Sequence, residues 1–338
     1  MIYDCFTFFN ELDLLELRLN ILNDVVDKFV IVEGTKTFAG NDKPLNFKEN
    51  EKRYEKFKDK IIYIVFDDFP PDSNAWIKES LQRNAIAQGL INCSEDDIIL
   101  ISDLDEIIAP EAIKEAIKRI DNGKPIKKFV QYNMRYYLNL INCNEPLWFH
   151  PEMCTYKNFK NCMDNVSFNY STFCPKEVNL KTTATKIRMC MKCSELIPNG
   201  GWHFSFMGGA QKIIYKFENY SHQEYKPHIE GIMRGVAQEL KNVNSTNTAA
   251  GSRALSYSIL PEYLQNNIEK YKDYISETPV EKLNEFSQIE TKQFKDIEQK
   301  FLRYSIQRFF SLGKARVRYS HKYNLYKEMH KILKYYTA

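Results

Sequence analysis

The stretch Asp97-Ile98-Ile99-Leu100-Ile101-Ser102-Asp103-Leu104-Asp105-Glu106 constrains this chain more than any other. A short apolar run bounded by polar residues reads as a strand covered on both faces, the kind found inside a parallel sheet. Three acids, spaced Asp-x-Asp-Glu, stand at its carboxyl end, which is where ligands bind in open α/β sheets. Crowded carboxylates repel one another unless a cation sits among them. Hard oxygen ligands suit Mg²⁺ or Mn²⁺, ions that commonly finish their shells with substrate phosphates. Asp103 and Asp105 are therefore expected to hold a divalent metal against a phosphorylated substrate. The plainer explanation is a helix N-terminus dressed with acids, since Pro110 and Glu111 start a helix nearby.

The flanking sequence supports a sheet. Ile2 to Phe8 is apolar and aromatic, Leu12, Leu15, Leu19 and Leu22 follow at helical spacing, and Lys28 to Glu33 is a second strand stopped by Gly34. This is β-α-β, the start of a parallel, Rossmann-like sheet with a right-handed crossover. Residues 35–47 form a long loop at the second strand's carboxyl end, a position where long loops are usually functional. A charged helix over 48–60, a strand over 61–66 and a helix over 76–90 carrying Arg83 and Asn84 lead into the acid-tipped strand. Residues 127–140 alternate aromatic and polar side chains, as a strand lining a groove would, and 142–194 is loop-rich. Gly200-Gly201-Trp202-His203 precedes a helix over 210–220, residues 246–252 read as a linker, and helices fill 254–336.

With 338 residues, 43% of them hydrophobic and 27% charged, the composition is that of a soluble globular protein. No stretch approaches the roughly 20 apolar residues of a membrane span, and the N-terminus reads as a first strand rather than a signal peptide. The eight cysteines are expected to be reduced, in a cytoplasmic setting. Cys190-x-x-Cys193 resembles half of a zinc site but has no second pair, so incidental thiols are the simpler explanation. The net charge of +3 says little, but residues 311–338 hold seven Lys or Arg against Glu328 alone.

Tyr3-Asp4-Cys5-Phe6-Thr7-Phe8-Phe9-Asn10-Glu11, Val32-Glu33-Gly34, Lys43-Pro44-Leu45, Gln82-Arg83-Asn84, Ser102-Asp103-Leu104-Asp105-Glu106 and Gly201-Trp202-His203 occur in one order. That ordered set, spanning residues 1 to about 230, resembles glycosyltransferase family 17. The resemblance implies a GT-A type fold: a Rossmann-like, mostly parallel sheet flanked by helices over 1–245, with a donor half to about 125 and an acceptor half from about 126. Residues 253–338 would be a helical C-terminal extension. It also implies a metal-dependent, inverting transfer of GlcNAc from UDP-GlcNAc to a hydroxyl of a glycan or glycolipid acceptor.

On this resemblance Phe6, Glu33, Arg83, Asn84, Asp103 and Leu104 are the donor-binding set. Phe6 and Glu33 end the first two strands, where a uracil ring would lie, although core packing explains Phe6 equally well. Arg83 would neutralise a phosphate; a plain helix-surface arginine is the alternative. Asp103, Asp105 and His203 would hold Mn²⁺ or Mg²⁺, with Asp105 bound directly and His203 supplying an imidazole. Inverting transfer needs a carboxylate to accept the proton of the attacking hydroxyl. Glu224 is the candidate, with His222 to orient it and Glu218, Asp164 and Glu106 as rivals.

The basic C-terminus interleaves Tyr319, Tyr323, Tyr326, Leu333, Tyr335 and Tyr336 with its cations, a pattern that suits the anionic inner face of a membrane. A helix that packs these rings on the main domain explains it as well. Nucleic-acid binding is not expected, because no recognised module accompanies the basic stretch. Two rival functions remain. A haloacid-dehalogenase-like phosphatase also carries Asp-x-Asp after an apolar strand, but usually Thr or Val stands where this chain has Ile107. A catalytically inactive nucleotide-sugar-binding protein is the other.

Overall fold

The structure is a computed structural model that describes all residues except 72, 121–122, 166–183, 190–193, 244–250, 287–291, 312 and 338. Cys190, Cys193, most of the expected linker and the side chain of Asp164 therefore lie outside the described residues.

Thirteen strands among the described residues are β1 (Ile2–Phe8), β2 (Lys28–Gly34), β3 (Ile61–Phe66), β4 (Ile98–Asp103), β5 (Glu106–Ile108), β6 (Ile126–Phe129), β7 (Gln131–Arg135), β8 (Leu140–Asn142), β9 (Leu147–Trp148), β10 (Glu152–Thr155), β11 (Ser194–Ile197), β12 (Gly201–Ser205) and β13 (Ser252–Ala254). Seven of them form one sheet in the order β11-β6-β10-β4-β1-β2-β3. The run β4-β1-β2-β3 is parallel throughout, and β10 is the antiparallel strand of this sheet. The expected mostly parallel, Rossmann-like sheet flanked by helices is what the chain forms.

Side-chain alternation explains why these strands read as continuous apolar runs. Phe6, Phe29, Ile31 and Leu100 point into one core, shared with Leu15 and Leu19 of the helix Leu12–Leu22. Cys5, Val30, Val32, Ile99 and Ile101 point into a second core on the opposite face, against Ile86 and Leu90. Both faces are dry, so neither alternates with polar residues.

The stretch 127–140 is not one strand. β6 belongs to the seven-stranded sheet and β7 to the second sheet, ordered β13-β8-β7-β12-β5 with β9 beside β7. The crossing point at Val130 is held by Gly200, where an added Cβ would lie 2.6 Å from the Val130 nitrogen. Gly201, at φ +118, brings β12 just as close to β5: a Cβ there would lie 2.2 Å from the Ile107 carbonyl oxygen. The two glycines before Trp202 thus permit the join between the sheets.

The segment read as a helix over 48–60 is a short turn, Asn46–Glu49, followed by 3₁₀ turns over Glu51–Lys60. Only Phe47, Tyr54 and Phe57 in it are buried. Beyond the expected boundary at 252, β13 is an edge strand of the second sheet, and Leu264, Tyr271 and Ile275 enter the main core. Lys292–Phe310 and Gly313–Thr337 then pair as a helical hairpin.

Candidate active site

The site is built where β4 of the first sheet runs into β5 of the second. The turn between them is Asp103-Leu104-Asp105-Glu106, and its backbone is fixed by an arginine that the sequence reading did not single out. Arg18, fully buried, grips Asp4 through two bonds of 2.8 and 2.6 Å. It also donates to the carbonyls of Asp103, Leu104 and Glu106 at 2.8–3.1 Å and to the Ser102 hydroxyl. Its one clue was a cation among Leu15, Leu19 and Leu22 on a helix face that must be buried.

The acids separate into two environments. Asp103 Oδ1 accepts from Arg83 at 2.6 Å and Oδ2 from Arg188 at 2.8 Å. Glu106 is taken up completely: Arg188 bonds both oxygens at 2.6 and 2.7 Å, Trp148 Nε1 donates to Oε1, and the Asp103 N–H donates to Oε2. Burial alone would raise both acids, but the guanidiniums overcome it and hold them down, Glu106 to about 2. Glu106 is thus a poor base. An aspartyl nucleophile at position 103 would need a free oxygen, and both of Asp103's are engaged.

Asp105 is different. Its Oδ2 accepts from Lys216 Nζ at 2.8 Å, and its Oδ1 lies 3.8 Å from His203 Nε2. Register explains why His203 is there, since Glu106, His203 and Asn133 sit side by side on β5, β12 and β7. The imidazole stacks on Trp148, centroids 4.3 Å apart. Its Nδ1 lies 3.1 Å from Asn133 Oδ1, while the Asn133 amide nitrogen donates to the Glu145 carbonyl. An amide oxygen only accepts, so Nδ1 carries the proton and the neutral ring presents the Nε2 lone pair to Asp105. Burial keeps the imidazole neutral by lowering its pKa against the pull of Asp105.

Two acceptors therefore face each other across a gap with no proton between them. A second-sphere carbonyl that fixes the tautomer of a histidine is the usual support of a metal ligand. Asp105 and His203 fit a divalent ion bound by two protein groups and completed by phosphate oxygens. Among the described residues no group of three or more His, Cys, Asp or Glu could hold a metal, and Asp103 turns to its arginines.

The remaining expected residues are placed as follows. Phe6 is wholly buried, with the Arg18 guanidinium 4.3 Å from its ring centroid. Glu33 is also buried and clasps the 35–47 loop, accepting from Lys43, Tyr63 and the Phe47 N–H at 2.8–3.0 Å. Leu104 is in the core and Asn84 half-buried at the end of the helix Ala75–Asn84. His222 Nδ1 does meet Glu224 Oε1, at 2.7 Å, beside Trp76. Burial would raise Glu224, but the bond and the charge of His222 together with a backbone hydrogen bond lower it. Glu218 is exposed. The notch beside Asp105 is lined by Glu11, Asp13, Phe204, Phe206 and Lys216, and Glu224 is not part of it. Lys216 was missed because it lies between Ile213 and Phe217 on a helix whose polarity looked ordinary. Burial alone would lower its pKa, yet Asp105 raises it.

An α/β sheet with a basic-and-acidic pocket at the tip of a central parallel strand is a Rossmann-like arrangement, in which ligands bind at the carboxyl ends of the strands. Residues 1–143 match the glycosyltransferase family 17 model. The human and rat β-1,4-mannosyl-glycoprotein 4-β-N-acetylglucosaminyltransferases are each 36% identical to the chain over 112 residues, 31% of this chain and 21% of theirs. The chain thus spans about a fifth of the length of the curated relatives it matches. Among solved structures, the 4-diphosphocytidyl-2C-methyl-D-erythritol synthase of Anaerococcus prevotii has a TM-score of 0.37 at 12% identity, covering 64% of this chain and 95% of that one.

Proposed function

We propose that the chain is an inverting glycosyltransferase that moves a sugar, GlcNAc from UDP-GlcNAc first of all, onto a hydroxyl of a glycan or glycolipid. The observation that carries this reading is His203 Nε2, its lone pair facing Asp105 Oδ1 at 3.8 Å, behind a notch lined by Asp105 and Lys216. Asp105 and His203 would hold Mn²⁺ or Mg²⁺, which neutralises the charge that develops on a departing diphosphate. Lys216 adds a fixed ammonium at the same point. Arg83 and Arg188, by holding Asp103, keep the turn that presents Asp105. Glu11 shares the notch with Asp105 and is the carboxylate best placed to take the acceptor's proton as its oxygen attacks the anomeric carbon, since Asp13 in the same notch is tied to Arg53 and the Tyr274 hydroxyl.

A thermal-shift series tests the donor. UDP and UDP-GlcNAc with Mn²⁺ should stabilise the protein by about 2.7 kcal/mol at a hundredfold excess over Kd, and chelation should remove most of that. No response to any UDP-sugar would refute the donor assignment.

We further propose peripheral contact with the inner face of an anionic membrane. Three of the rings expected to enter it are engaged elsewhere: Tyr323 stacks on Phe301, Tyr326 meets Tyr304, and Tyr336 is buried, its hydroxyl donating to the Val130 carbonyl. The contact rests instead on Leu302 and Ile306, exposed one helical turn apart on Lys292–Phe310, in a hairpin rich in Lys and Arg. No helix among the described residues is long and apolar enough to cross a membrane. Phosphatidylglycerol vesicles should sediment the protein and phosphatidylcholine vesicles should not. Leu302→Glu with Ile306→Glu should weaken this at least about tenfold; undiminished sedimentation would refute the surface.

A further inference from the structure

We propose that the open pocket of about 370 Å³ beside the helix Leu12–Leu22 is the acceptor site, and that it receives one neutral sugar ring. The proposal deepens the transferase reading and rests on it. Asp13, Tyr137, Gly208, Gly209, Tyr271 and Tyr274 line the pocket. Asp13 and Tyr274 also line the notch that holds Asp105 and Lys216. The pocket and the notch therefore adjoin at the hydrogen-bonded Asp13–Tyr274 pair.

The chemistry of the walls selects the ligand class. Aromatic faces cover the apolar face of a pyranose, and a few convergent polar groups fix its hydroxyls. The charges balance, with Asp13 and Asp273 offset by Arg53 and Lys270. Both cations are already occupied: Arg53 bonds Asp13 and Glu16, and Lys270 bonds Glu16. An anionic ligand would find no free partner in them, whereas a neutral polyol requires none. Asp13 in turn accepts from the Tyr274 hydroxyl.

The backbone is shaped for the same purpose. β7 and β12 run side by side and each is followed by a residue in the left-handed region, Tyr136 at φ +71 and Phe206 at φ +57. Such conformations persist where the surroundings enforce them and cluster at ligand clamps. They turn Tyr137 and Gly208-Gly209 to the pocket. The wall that carries Tyr271 and Tyr274 comes from the chain beyond residue 252, so that segment completes the site.

Saturation-transfer NMR with p-nitrophenyl hexosides, neutral and anionic, reads this pocket without requiring turnover. The neutral mannoside, glucoside or N-acetylglucosaminide should bind and the glucuronide should not. Tyr137→Ala should weaken binding about tenfold, the weight of one ring contact, while Tyr137→Phe should retain it. UDP-induced stabilisation should be unchanged in both variants. Failure of every neutral hexoside to bind, or equal binding by wild type and Tyr137→Ala, would overturn the proposal. Absence of a UDP response in the wild type would instead sink the donor reading, and the hexoside measurement would still decide the pocket.

Discussion

Asp105→Asn should lower sugar-nucleotide turnover by about 10²–10³-fold, the loss typical of removing one preorganised stabiliser of developing charge, and leave the protein folded. The replacement keeps the shape and removes the charge. Asn offers a neutral oxygen to an ion, and its amide could donate to His203 Nε2, closing the gap that faces Asp105 at 3.8 Å. Lys216 would lose its carboxylate, but its side chain is 26% exposed, so water can solvate the ammonium and the cost to folding is discounted accordingly. The variant should therefore melt near the wild-type temperature while losing the Mn²⁺-dependent part of the UDP response. Wild-type turnover by Asp105→Asn would place the reacting centre elsewhere.

Arg18→Ala should be the most destabilising single change in residues 1–125, by about 3–5 kcal/mol, the usual cost of leaving one partner of a buried ion pair uncompensated. Asp4 and Arg18 are both without solvent exposure, and the guanidinium also serves three carbonyls and a hydroxyl of the 102–106 turn. Chemical denaturation should show the midpoint falling. Combining Arg18→Met with Asp4→Leu should recover much of the loss, because an apolar pair of similar volume leaves no stranded charge. Recovery of stability without recovery of turnover would separate the two duties of Arg18, since the double variant still lacks donors for the turn. If Arg18→Ala unfolds at the wild-type denaturant concentration, the ion pair is not what supports this end of the sheet.

The strands and the first crossover helix were legible because their signal is local. Apolar continuity over Ile98–Ser102 and the spacing of Leu12, Leu15, Leu19 and Leu22 are set by near neighbours, and so is the placing of acids where a strand must end. The order of short motifs was enough to point to the family whose model residues 1–143 match. The partners of those acids were not legible. Lys216 lies 111 residues from Asp105, Arg188 85 from Asp103, and Asn133 70 from His203. These meetings follow from register between strands distant in sequence and from two glycines that let the sheets approach. Side-chain pairing at such separations depends on the folded chain as a whole, so a carboxylate that reads as one of three equals becomes, by its neighbours, an anchor at Asp103, a bolt at Glu106 or, at Asp105, a group bonded by Lys216 and faced by His203.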